Sequence, residues 1–126
     1  MMIDTEIFRQ RTQENINAAA ALWDLGFYNA SANRSYYAAF HAAMVYLLRN
    51  NIAVEPDHRK VQNAFNGEAI ARRKLLPSRW KEYLGEMQDV RNNADYKNKG
   101  VSKNRAQEQL RRAQEFISTL IPEIQL

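Results

Sequence analysis

Arginine, tyrosine and histidine stand at helical spacing at Arg34, Tyr37 and His41. Steps of three and four place them on one stripe of a helix, and Ala38, Val45 and Leu48 share that stripe. A guanidinium and an imidazole therefore interrupt an apolar surface. A cation in such a place must be paired, or must face a cleft or a partner. Tyr37 offers either core packing or a surface on which a base can stack. A second anomaly lies further on, where Arg91 continues the stripe of Trp80, Leu84 and Met87, with Asp95 and Tyr96 one turn later. Near a helix C-terminus the macrodipole disfavours an anion by roughly 0.3–1 kcal/mol. Asp95 thus calls for a cationic partner besides Arg91, and Arg34 is the candidate. The plain alternatives are a satisfied core histidine at 41 and an ion pair that orders two helices.

Charge points to a third feature. The 126 residues carry 18 Lys+Arg against 14 Asp+Glu, a net of +4. Residues 72–81 hold Arg72, Arg73, Lys74, Arg79 and Lys81 with no acid among them. Such a run attracts a phosphate backbone in a salt-dependent way, or is simply a solvated loop and helix start.

Much chemistry is excluded. There is no cysteine, so disulfides, thiolate metal sites and a Cys nucleophile are out. The four glycines, at 26, 67, 85 and 100, cannot form a phosphate-binding loop. His41 and His58 lie too far apart for one helical turn to present both to a metal, and no predicted helix offers an E-x-x-H pair of the di-iron type. No cofactor or metal is expected. The start lacks a basic region followed by an apolar stretch. The longest stretch without charge, Ser35 to Leu48, is too short to span a bilayer. A cytoplasmic protein without membrane contact is expected.

Helices must position these groups. With four glycines and three prolines and no sustained period-two alternation, the expectation is all-α. It is an up-and-down four-helix bundle with an additional short helix, in one domain over residues 1–126. The first helix is predicted over about 4–25, with Ile7, Ala18, Leu22 and Leu25 on its apolar stripe, Phe8 beside it, and Gly26 as the stop. The second covers about 29–49, apolar nearly all round and hence central. A shorter third covers about 57–70, with Val61, Ala64 and Phe65 inward. Ser78 is the expected N-cap of a fourth helix to about 94. Ser102 is the expected cap of a last helix to about 120, with Ala106, Leu110, Ala113, Ile117 and Leu120 inward and Val101 as a hydrophobic staple.

The segment Asn33-Arg34-Ser35-Tyr36-Tyr37-Ala38-Ala39-Phe40-His41-Ala42-Ala43 resembles the R-x-Y-Y-A-x-F-x-A segment of HEPN domains (higher eukaryotes and prokaryotes nucleotide-binding). Asp57-His58-Arg59-Lys60-Val61 followed by Phe65 is similar to that family's K-H-x-x-V…F region. Arg91-Asn92-Asn93-Ala94-Asp95-Tyr96 resembles its R-x-x-A-D-Y segment, and Ala113, Phe116 and Ile117 fit its closing pattern. The resemblance runs from about residue 10 to 120. It implies a helical bundle, usually a homodimer. Many members of that family are metal-independent ribonucleases of toxin–antitoxin, CRISPR and other defence systems, and others are non-catalytic partners of a minimal nucleotidyltransferase.

In the nuclease branches an Arg is followed, after four to six residues, by a His. Here those positions after Arg91 are Tyr96, Lys97 and Asn98. Three readings follow. In the first the chain binds nucleotide or RNA through Arg34, Tyr37, Arg72, Arg73 and Lys74 and works with a nucleotidyltransferase. In the second it is a ribonuclease using Arg91 with Asp95, Tyr96 and His41. In the third it is a structural interaction module.

Overall fold

The computed structural model describes residues 5–96 and 100–126, with Asp95 and Tyr96 described by backbone alone. Helix α1 spans Thr5–Asp24, α2 Tyr28–Arg49, α3 His58–Ala64, α4 Tyr83–Tyr96 and α5 Lys103–Leu120. A π-helical segment, Phe65–Arg72, continues α3, and a 3-10 turn covers Ser78–Trp80. The fold is an all-α bundle, and among the described residues there is no strand. Helix α2 is its centre and packs against α1, α4 and α5. Twelve of its residues are buried, Ala32, Ala38, Ala39, Ala42 and Ala43 among them. Small side chains let three neighbours approach one axis, and a helix enclosed in this way has apolar residues all round.

Local signals set the ends. After α1, Gly26 takes φ +84°. The Phe27 amide then donates to the Leu22 carbonyl at 2.9 Å and that of Gly26 to Trp23 at 3.0 Å. This pair of bonds is a Schellman stop, which favours glycine at the left-handed position. Asp57 caps α3 through the Lys60 amide. Ser102 caps α5 through that of Arg105, at 3.2 Å. Val101 and Ala106 are buried together with Ala32 and Ala94, the arrangement of a hydrophobic staple.

Three sequence expectations need correction. The buried stripe of α1 is Phe8, Thr12, Ile16 and Ala19, while Ile7 and Leu25 are exposed. Thr12 can sit in the core because its hydroxyl donates to the Phe8 carbonyl at 2.8 Å, which satisfies it locally. The third helix is not α-helical to residue 70: it changes to π geometry at Phe65 and ends at Arg72. Ser78 opens the 3-10 turn and makes no side-chain cap bond. Glu82 adopts φ 64°, a left-handed kink that delays α4 to Tyr83.

Gln109 on α5 is a buried polar tie that periodicity does not reveal. Its amide donates to the Met87 carbonyl at 2.8 Å and the Ala32 carbonyl at 3.4 Å, joining α5 to α4 and α2. Gln109→Ala removes both bonds and leaves a void. A loss of about 1–3 kcal/mol is expected, read as a lower urea midpoint.

Candidate functional site

Tyr37 is the hub of the site. It lies half-buried on α2, where α4 and the start of α3 converge. The Arg34 guanidinium carbon is 4.8 Å from its ring centre and that of Arg91 is 5.3 Å away. Both distances suit cation–π attraction. Arg91 Nη2 also donates to the Tyr37 hydroxyl at 3.1 Å, and its Nη1 donates to Asn92 Oδ1 at 3.2 Å. Arg34 is held by amide oxygens: Nε donates to Asn33 Oδ1 at 3.0 Å and Nη1 to Asn15 Oδ1 at 3.0 Å. Neutral acceptors orient a guanidinium without cancelling its charge.

Two histidines close on the same ring. His41 lies one turn along α2, 6.4 Å from Tyr37 between ring centres, and stacks on Phe8 at 5.8 Å. His58, the first residue of α3, is 5.6 Å from Tyr37 and 4.7 Å from Phe40. Its Nδ1 is 2.7 Å from the Tyr36 hydroxyl. Burial pushes the His41 imidazole down to about 4, helped by the guanidiniums of Arg11 and Arg34 and by His58. Burial also lowers His58, and Arg91 adds to that shift. The cationic share of these shifts, from Arg11 and Arg34 at His41 and from Arg91 at His58, has the sign that favours an incoming anion.

The lowered pKa of His41 has a consequence for stability. An unfolded histidine titrates near 6.5. As pH falls below that value the unfolded chain takes up a proton that folded His41 refuses until about 4. The contribution is complete above pH 6.5, shrinks as pH falls and is gone below about 4, and it amounts to about 3 kcal/mol at most. His41→Phe is expected to flatten the stability–pH curve between pH 6.5 and 5, where carboxylates are still ionised. Urea titrations across that window check it.

The structure brings Arg34, Tyr37, His41 and Arg91 together. The side chains of Asp95 and Tyr96 lie outside the described residues, and with them the expected Arg34–Asp95 pair. The basic segment lies elsewhere. Arg73 donates to the Asn50 carbonyl just past the end of α2, and the sixteen residues from Arg34 to Asn50 span about 24 Å of helix. Arg72 and Arg73 are paired with Glu68. Lys74 is exposed at φ 53°, and Arg79 is paired with Glu115.

Sequence spacing did not bring in His58, since it belongs to another helix than Tyr37. Its signals were the position of Asp57-His58 at a helix start and its place in the segment similar to the K-H-x-x-V…F region. Among the described residues no three His, Asp or Glu side chains group as metal ligands, and no helix is long and apolar enough to cross a membrane.

A central alanine-rich helix carrying arginine and tyrosine, met by a second arginine from α4, is the frame of this all-α module. The HEPN domain family model matches residues 5–124. The chain therefore belongs to the HEPN family. Comparison with curated proteins gave no significant match.

Proposed function

We propose that residues 1–126 act as one HEPN module that binds the phosphate groups of RNA or a nucleotide at Tyr37. The observation that carries this reading is the approach of two guanidiniums to one half-buried aromatic ring, with Arg34 held by neutral amides. Guanidinium forks match phosphate oxygens, and Tyr37 offers a face for a base. Arg72, Arg73 and Lys74 form a separate patch that a longer RNA would reach. In this reading the module is a cytoplasmic homodimer, the dimer being common among HEPN domains, and works beside a minimal nucleotidyltransferase in a toxin–antitoxin-like or defence setting.

The test is fluorescence anisotropy with a short single-stranded RNA, in EDTA and over a salt series, with adenosine monophosphate as competitor. Binding that weakens with salt and falls at least severalfold in Arg34→Ala is expected. Displacement by the monophosphate would assign the site to nucleotides, and its failure to RNA. No binding of either, or binding that Arg34→Ala leaves intact, overturns the reading.

A second reading is favoured by the histidines that, like Arg91, meet the Tyr37 ring. Metal-free RNA cleavage needs a group to activate the 2′-hydroxyl and cationic donors for the phosphorane. Arg91 fits the second role. His41, pushed down to about 4, is neutral at pH 7 but weakly basic. RNA fragments that appear in EDTA and vanish in Arg91→Ala would establish this reading in place of simple binding.

A further inference from the structure

A chain of hydrogen bonds runs into the site from behind. Gln62 lies one turn beyond His58 on the same helix. One hydrogen of its Nε2 points to Gln88 Oε1 at 2.7 Å and the other to the Tyr36 hydroxyl at 3.4 Å. Tyr36 is fully buried, and burial holds its phenol up to about 12, so the hydroxyl keeps its hydrogen. That oxygen accepts from Gln62, and the one acceptor described within reach of its own hydrogen is His58 Nδ1 at 2.7 Å. A neutral imidazole that accepts on Nδ1 carries its proton on Nε2.

We propose that the Gln88–Gln62–Tyr36 chain locks His58 with its proton on Nε2, making it a third donor, with Arg34 and Arg91, to a phosphate at Tyr37. This rests on the phosphate-site reading above. It also assigns His58 a role opposite to the one a histidine beside an RNA-binding arginine invites. With Nδ1 engaged by Tyr36 and Nε2 already protonated, neutral His58 has no lone pair for a 2′-hydroxyl. It positions the phosphate and does not take a proton. The groups around it fit a donor. Tyr36, Tyr37 and His41 face it from α2, Arg91 acts on it from α4, and Asp57 precedes it in the chain. Asp57 itself is turned to the Lys60 amide as a cap.

Long-range proton–nitrogen spectra of the 15N-labelled full chain at pH 8 read the tautomer directly. The expected result is Nε2 protonated and Nδ1 accepting. Tyr36→Phe keeps the ring and Gln62→Ala breaks the chain further back, so two variants approach the lock from different ends. Each is expected to mix the tautomers. Inorganic phosphate should shift the His58 Nε2 signal in the wild type and do so severalfold more weakly in Tyr36→Phe. A proton on Nδ1, meaning that both amides are reversed and the chain runs backwards, overturns the lock. So does a tautomer unchanged in both variants. Phosphate that perturbs Tyr37 but leaves His58 Nε2 still overturns the donor role while the site at Tyr37 stands. Phosphate that perturbs neither, with the tautomer as expected, overturns the phosphate-site reading and the donor role together.

Discussion

Arg91→Ala is expected to weaken binding of single-stranded RNA by about 10- to 150-fold at low salt, because a hydrogen bond to a charged partner contributes about 1.5–3 kcal/mol. The slope of log affinity against log salt should flatten by about 0.7, the value for one lost phosphate contact on a single strand. Arg91 reaches the site from α4 and touches Tyr37 by ring face and hydroxyl, so its removal also changes what the neighbours feel. Its positive charge helps to hold the His58 pKa down. The variant should therefore show His58 titrating at higher pH, by NMR, with no ligand present. A purely structural arginine predicts a different result, namely a chain that fails to fold or loses its cooperative unfolding transition. If Arg91→Ala folds, shifts His58 upward and binds RNA as the wild type does, the phosphate role of Arg91 is wrong and only its electrostatic effect remains. Arg34→Ala acts on the same ring, so the double variant should fall short of the sum of the two losses.

The features legible in the sequence are those that local chemistry decides. The Gly26 stop, the Ser102 cap with its Val101 staple and the enclosed character of α2 each follow from a few adjacent residues. Helical spacing likewise places Arg34, Tyr37 and His41 on one stripe. The sequence misleads where a polar residue is satisfied inside the core. Thr12 bonds to its own helix and Gln109 to two others, so each occupies a core position that hydrophobic patterning assigns to neighbours. The phase of α1 slips by one residue for that reason. His58 could not be placed from spacing at all, because the connection between residues 50 and 57 determines which part of α2 it meets. The pairing of Arg72, Arg73 and Arg79 with Glu68 and Glu115 is likewise tertiary, and it makes that segment's basic run much less cationic than its composition.

Trp80→Ala should have the largest effect on stability, about 3–5 kcal/mol, a large share of the 5–15 kcal/mol that holds a typical domain together. Trp80 is 1% exposed and sits 5.0 Å from Tyr83 and 5.6 Å from Phe116 between ring centres. Phe116 in turn meets Phe65 at 5.3 Å. One indole thus joins the 3-10 turn, the start of α4, the π-helical segment and α5, and the Arg79 guanidinium covers it at 4.2 Å. Trp80→Phe should recover most of the loss, since a smaller ring still fills much of the space. Urea unfolding followed by far-UV circular dichroism checks both, and a loss below about 1 kcal/mol for Trp80→Ala would sink the argument. The same variant separates stability from function. The groups at Tyr37 come from α2, the α3 start and the middle of α4, and none of them touches Trp80 in the ring contacts described. At a temperature where Trp80→Ala is still folded, phosphate should therefore perturb Tyr37 and His58 as in the wild type. If the response disappears while the helices persist, the aromatic cluster is part of what fixes the α4 arginine over Tyr37, and the site depends on the far end of the bundle.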